Sequence, residues 1–240
     1  MSLVRKARGE YGSLITRRQF SLATALVVAG GWRAAAQAAD PVPARKVPSA
    51  GEIWEGLMAG NKRFVAGKPR PRALASLRRE LATGQYPLVT VLGCSDSRVS
   101  PSLVFDQTVG DLFEVRAAGN VADAVSLGSI EYAVDQLRTP VLLVLGHDKC
   151  GAVEAAVSGA TMPSPGLEAL VKHIKPAVES VRGQASGDAL LARAVEANVH
   201  ESAKDLVESS AILRRHVEGG RLTVVKALYR LASGEVVRLA

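Results

Sequence analysis

Two short stretches hold residue types that could do chemistry together. One, Cys94 to Arg98, reads CSDSR; the other, His147 to Cys150, reads HDKC, and the chain's only two cysteines fall one in each. Two thiolates and an imidazole form the borderline-soft donor set that tetrahedral zinc accepts. Three such ligands leave a fourth position, open to water or closed by a carboxylate, and Asp96 is the carboxylate at hand. Arg98 lies two residues further on, and a guanidinium can grip a carboxylate through two parallel hydrogen bonds. Asp96 therefore has two competing partners, and the metal is open when Arg98 holds it. The competing reading is a Cys94–Cys150 disulfide, which leaves Asp96, Arg98 and His147 without a role.

For the two stretches to meet, the elements before them must be neighbours. PLVTVLG (Pro87–Gly93) runs into Cys94 and PVLLVLG (Pro140–Gly146) runs into His147. Both read as fully buried strands. In open α/β sheets ligands collect just beyond the carboxyl ends of the strands, so adjacent strands would bring Cys94, Asp96, His147 and Cys150 to one spot. LFEVR (Leu112–Arg116) is a weaker strand, and RLTVVKALYRLASGEVVRL predicts two strands joined by a turn at Ser233 and Gly234. Helical patterns fill the intervals. Ser49 and Glu52 stand at capping-box spacing ahead of an apolar-periodic helix. A second helix is expected over Ala73–Ala82, stopping near Gly84, and another over Asp123–Arg138 with Asp123 at its N-cap. A further helix opens at Gly151, and long ones are expected over 166–181 and 188–220. This alternation predicts an α/β fold: a mostly parallel central β-sheet flanked by helices, with an N-terminal helical arm.

The rest of the chain bounds the function. Hydrophobic residues make up 48% and charged residues 22% of the 240 positions, a globular balance. The formal charge of +7 does not describe a basic domain, because residues 1–38 carry Arg5, Lys6, Arg8, Arg17, Arg18 and Arg33 against Glu10 alone. Nucleic-acid binding is not expected. In that leader the twin arginine Arg17–Arg18 precedes a short apolar stretch from Leu22 to Gly30, and AQA follows at Ala36–Ala38. The pattern resembles a twin-arginine (Tat) signal peptide. Residues 1–38 are thus expected to be removed on export to the periplasm, with no stable membrane insertion afterwards. A core helix or a permanent anchor is the alternative. Residues 39–48 form a Pro-rich linker or arm, and 49–240 the functional domain. Because the Tat route carries folded proteins, a metal could be loaded before either thiol meets an oxidant. Phosphate-cradle motifs are lacking, since VAGKPR has no Ser or Thr after its lysine.

With both stretches in order, the chain resembles the β-class carbonic anhydrases, in which Cys-x-Asp-x-Arg is followed about fifty residues later by His-x-x-Cys-Gly. FDQTVGDLFEVRAAGN (Phe105–Asn120), LGSIEYAV (Leu127–Val134) and the closing ALYRLASGEV are similar to the family's segments, so the resemblance runs from about Ser49 to Leu239. It implies one Zn²⁺ per subunit held by Cys94, His147 and Cys150, with Asp96 a switching fourth ligand. It implies reversible hydration of CO₂ to bicarbonate and a proton by a zinc-bound hydroxide, oriented by Asp96 paired with Arg98. Two thiolates donate more charge than imidazoles, which favours activity on the alkaline side. It also implies a homodimer or higher homo-oligomer, with Gln85 reaching substrate across the interface; the Gly151 N–H, at the start of the next helix, could also face an anionic product. The plant enzymes' pocket tyrosine is absent from the corresponding ADAVSLG. A hydrolase of COS or CS₂ on the same fold, and a non-catalytic zinc- or bicarbonate-binding protein, stay open. His173, His200 and His216 read as surface residues, and Asp148 and Lys149 as solvated loop charges. Asp106 and Gln107 read as structural or pocket-lining, and Gly119 and Asn120 as turn-setting.

Overall fold

The computed structural model describes residues 47–240, so the signal-peptide expectation and nearly all of the Pro-rich arm lie outside the described residues. The first element among the described residues is α1 (Ala50–Val65), and the expected capping box is formed: Ser49 Oγ accepts from the Glu52 N–H while Glu52 Oε2 accepts from the Ser49 N–H. After α2 (Leu74–Glu80) a 3₁₀ turn at Leu81–Thr83 ends at Gly84, where the sequence places the stop.

Five strands then form one sheet: β1 (Val89–Gly93), β2 (Leu112–Arg116), β3 (Val141–His147), β4 (Thr223–Tyr229) and β5 (Val236–Arg238). Their order is β2-β1-β3-β4-β5, all parallel except β5, which turns back antiparallel on β4. The expected mostly parallel α/β architecture is the one observed. Helices α3 (Pro101–Val104), α4 (Ala124–Asp135), α5 (Gly151–Ser158), α6 (Pro165–Val181), α7 (Gly187–Ser209) and α8 (Ala211–Glu218) complete the domain. No helix among the described residues is long and apolar enough to cross a membrane.

Alternation along β1 and β3 sorts the core into two layers. Val89, Val91, Val141, Leu143 and Leu145 face α1 and α3, meeting Ile53, Leu57, Val104 and Phe105. Leu92, Leu142 and Val144 face the other way, into Ile130, Ile174, Val199, Leu206 and Leu213 from α4, α6, α7 and α8. Both faces of the central strands are therefore apolar and buried, which is why their sequence reads as unbroken branched runs rather than as alternation. Close approach is written in two glycines. A Cβ on Gly60 would lie 1.8 Å from the Phe105 carbonyl oxygen, and one on Gly146 would lie 2.4 Å from Val199 Cγ2, so α1 and α7 sit nearer the structure beneath them than any side chain allows.

One expectation fails in detail. The segment 188–220 is not a single long helix: it breaks at Ser210, whose backbone is extended (φ −115, ψ 114). Its hydroxyl accepts from the Leu213 N–H to cap α8 and donates to Glu131 on α4. Helical periodicity continues through the break, where the local Ser210 cap and its bond to α4 together mark the kink. The short α3 was also unforeseen, although Pro101 at its first turn is a local signal for it.

Candidate metal centre

Parallel pairing of β1 with β3 sets Gly93 opposite Leu145. Cys94 thus leaves its strand beside Gly146, and His147 follows one residue later. Lys149 then adopts a left-handed conformation (φ 51), which turns the chain back sharply and places Cys150 at the N-cap of α5. The outcome is a buried triad in which one ligand atom from each of Cys94, His147 and Cys150 lies within 4.8 Å of the others.

The two sulfurs are 3.9 Å apart and both cysteines are free, which sets the disulfide reading aside. A disulfide would draw them to about 2.05 Å, whereas two thiolates on tetrahedral zinc, each about 2.3 Å from the ion, sit about 3.8 Å from one another. His147 supplies a second sign. Its Nδ1 lies 2.8 Å from the Asp148 carbonyl oxygen, so that nitrogen carries the proton and donates, and the Nε2 lone pair is left facing inward. Nε2 is buried and has no hydrogen-bond partner among the described residues. Two sulfurs and one orphaned imidazole nitrogen, converging out of water, fit a zinc ion.

The electrostatics agree. The Cys150 S–H and the N–H groups of Asp96 and Gly119 favour the Cys94 thiolate and outweigh burial, holding its pKa below the usual thiol range. Cys150 faces that thiolate and is pushed up by the contact and by burial. A divalent cation held by Cys94 and Cys150 would supply the charge that lets both sulfurs be thiolates at once.

Asp96 stands at the rim. Arg98 grips it from Nε (2.9 Å) and Nη2 (2.7 Å), and the Arg98 N–H adds a third bond at 2.9 Å. Its Oδ2 is 3.8 Å from His147 Nε2, so the carboxylate borders the triad while belonging to Arg98. The guanidinium holds the Asp96 carboxyl well below the usual carboxylate range.

Sequence reasoning missed the group that shapes this loop. Arg116, at the end of β2 and in register with Gly93, donates to the carbonyls of Cys94 (3.0 Å), Asp96 (2.8 Å) and Val99 (2.8 Å). Gly119 and Asn120 do set a turn, but Gly119, at φ 65, also donates its N–H to Cys94 Sγ at 3.2 Å, and the buried Asn198 holds the Gly119 carbonyl at 2.8 Å.

Among the other expected residues, Gly151 stands next to the triad, directly after Cys150. Gly151 is the first residue of α5, exposed, with open space where a side chain would be. Gln85 is exposed and precedes β1, so the whole strand, roughly 16 Å from Val89 to Cys94, separates it from its own triad. Asp106 is structural: its buried carboxylate gathers Arg63 (2.6 Å), Arg72 (3.0 Å) and Arg70 (3.6 Å). Gln107 folds back onto the Phe105 carbonyl. His173 is exposed, but His200 and His216 are half-buried, beside Lys226 (3.2 Å) and Asp135 (3.4 Å) respectively. Asp148 is not a solvated charge; its Oδ1 accepts from the Leu231 N–H at 2.8 Å. Lys149 is exposed as expected.

Fold and site define an α/β protein with a buried Cys-His-Cys cluster that could hold a metal ion, at the carboxyl edge of a mostly parallel sheet. The family model described as carbonic anhydrase matches residues 89–236, and the chain belongs to that family. It is 40% identical over 188 residues to carbonic anhydrase 2 of Mycobacterium tuberculosis, covering 77% of this chain and 90% of that protein. The carbonic anhydrase of Mycolicibacterium smegmatis is 38% identical over 187 residues, with 76% and 90% covered. Among solved structures, the β-carbonic anhydrase CafA of Aspergillus fumigatus superposes with a TM-score of 0.65 at 29% identity, over 78% of this chain and 90% of that one.

Proposed function

We propose that Cys94, His147 and Cys150 hold one Zn²⁺ and that the protein catalyses reversible hydration of CO₂ to bicarbonate and a proton. The observation that carries this reading is the buried triad, its His147 Nε2 without a protein partner, beside an ionised Asp96 clamped by Arg98. Zinc, when bound there, supplies the Lewis acidity that makes a hydroxide nucleophile available near neutral pH. The chain's own part is orientation. Asp96, ionised and therefore acceptor-only, takes a hydrogen bond from the attacking water and aims it at carbon. Arg98 keeps Asp96 in that role and away from the fourth ligand position. The exposed Gly151 N–H, at the positive end of α5, offers a donor to the anionic product.

The working unit is a homodimer or a larger homo-oligomer. Gln85 lies at the far end of its own β1, so the centre it can serve is that of a second copy. Helix α2 and Leu74, which is half exposed, present an arm with no buried residue of its own for such a copy to cover. Export rests on the leader: Arg17–Arg18, the apolar Leu22–Gly30 and AQA at 36–38 support a Tat signal peptide and a periplasmic enzyme. A reporter fused to residues 1–45 will be exported, and replacing both arginines with lysine will stop it.

Metal analysis with stopped-flow CO₂ hydration between about pH 7 and 9 tests the activity. One zinc per chain with a rate above buffer that rises with pH is the expected result. Zinc without any rate at any pH, or faster turnover of COS or CS₂ than of CO₂, overturns it.

A further inference from the structure

Asp148 occupies a position that the ligand set does not explain. It lies between two of the proposed metal ligands, and three of its groups are engaged at once. Its carbonyl oxygen accepts from His147 Nδ1 at 2.8 Å and so fixes the ring. Its N–H donates to the Tyr229 carbonyl at 3.2 Å, which continues the β3–β4 pairing one residue past His147. Its side-chain Oδ1 accepts from the Leu231 N–H at 2.8 Å, across the chain from the β4–β5 connection.

That connection is itself held. The Gly234 N–H donates to the Arg230 carbonyl at 2.8 Å. Asn61, buried on α1, donates to the Gly234 carbonyl (2.8 Å) and accepts from the Val236 N–H (3.0 Å). The Asp148 carboxylate is therefore moored to a connection that is itself hydrogen-bonded to α1. The residue after it needs this mooring. Lys149 takes a left-handed conformation (φ 51) that a long side chain adopts at a cost, and the surroundings must impose it. Without that turn Cys150 does not come back towards His147.

We propose that Asp148 is a positioning residue: its carboxylate, bonded to the Leu231 N–H, holds the His147–Cys150 turn and the imidazole in the geometry that binds the metal. The inference rests on the zinc reading of the triad. What the carboxylate contributes is an acceptor at a fixed place, so an amide of the same shape will serve and a methyl group will not. Outer groups that orient metal ligands are typically worth about 10–100-fold in affinity.

Zinc affinity of the full chain, measured by competition with a chromogenic chelator, tests this, with the unfolding midpoint of the metal-stripped protein recorded beside it. Asp148→Ala is expected to weaken zinc binding about 10–100-fold, while Asp148→Asn, whose Oδ1 still accepts from Leu231, stays close to wild type. Asp148→Ser, too short to reach the same donor, should behave as Ala and stands in for it if the alanine variant does not fold. Unchanged affinity in Ala or Ser, with only a lower midpoint, overturns the proposal and makes the bond merely structural. An Asn variant as weak as Ala overturns it as well, because charge and not the acceptor is then what matters. Wild-type protein that binds no zinc fails the underlying reading instead, and that result is distinct from both.

Discussion

On the proposed reading, the site's chemistry turns on which of two neighbours owns one carboxylate. Asp96 makes three hydrogen bonds to Arg98 and lies 3.8 Å from His147 Nε2, so a small rotation could turn it inward if the guanidinium let go. Arg98→Ala is expected to keep its zinc but lose about 100-fold or more in CO₂ hydration, the scale of a lost proton-handling group. Cys150→Ser, which removes a ligand, should instead lose the metal. Zinc content measured beside the rate separates the two, and a fully active Arg98→Ala would break the switch. The residue types and spacing made this pair legible in advance. Arg116 was not legible, because its three carbonyl partners lie 17 to 22 residues away in the chain and meet it only across the sheet.

Among the elements, the N-terminal arm is fastened to the domain by a buried charge. Asp106 has a left-handed backbone (φ 48) and a side chain that is 1% exposed, and it gathers Arg63 from α1 with Arg70 and Arg72 from the segment beyond it. Burial alone would raise its pKa, but Arg63 and the other donors win and it is lowered. A lowered carboxyl contributes stability that is present above its unfolded pKa of about 3.9 and lost as pH falls towards the folded value. Asp106→Asn should therefore cost about 2–3 kcal/mol at neutral pH, less than a fully buried pair because the arginines are partly solvated. The deficit should shrink below about pH 4. Urea unfolding across pH checks both the size and the direction. Helix boundaries followed local signals where caps were present, at Ser49 and Asp123. They failed at Ser210, an N-cap serine inside a stretch of unbroken helical period that Glu131, 79 residues away, also holds.

For the whole molecule the question is which copy completes which site. If Gln85 serves its partner's centre, Gln85→Ala and Cys150→Ser homo-oligomers will each be impaired, for different reasons. Mixed assemblies, however, pair an intact metal site in the first with an intact glutamine from the second. Equal mixing and reassembly should then restore about a quarter of wild-type activity, the statistical share of complete sites in an isologous pair. No recovery above the parents would show that Gln85 does not act across an interface.

The sequence alone picked out Cys94, His147 and Cys150 as a cluster, the strands that carry them and the mostly parallel α/β class. Each of these depends on local features: residue type, hydrophobic period, and glycines or caps at strand and helix ends. Only the tertiary structure decided that β1 and β3 are adjacent and in a register bringing both sulfurs to 3.9 Å. It alone showed Asp96 resting on Arg98, with Arg116, Asn198 and Asp148 bracing the loops around the triad. Those contacts join residues remote in the chain, and a hydrogen-bonding side chain carries no mark of its partner until the fold has set the distance between them.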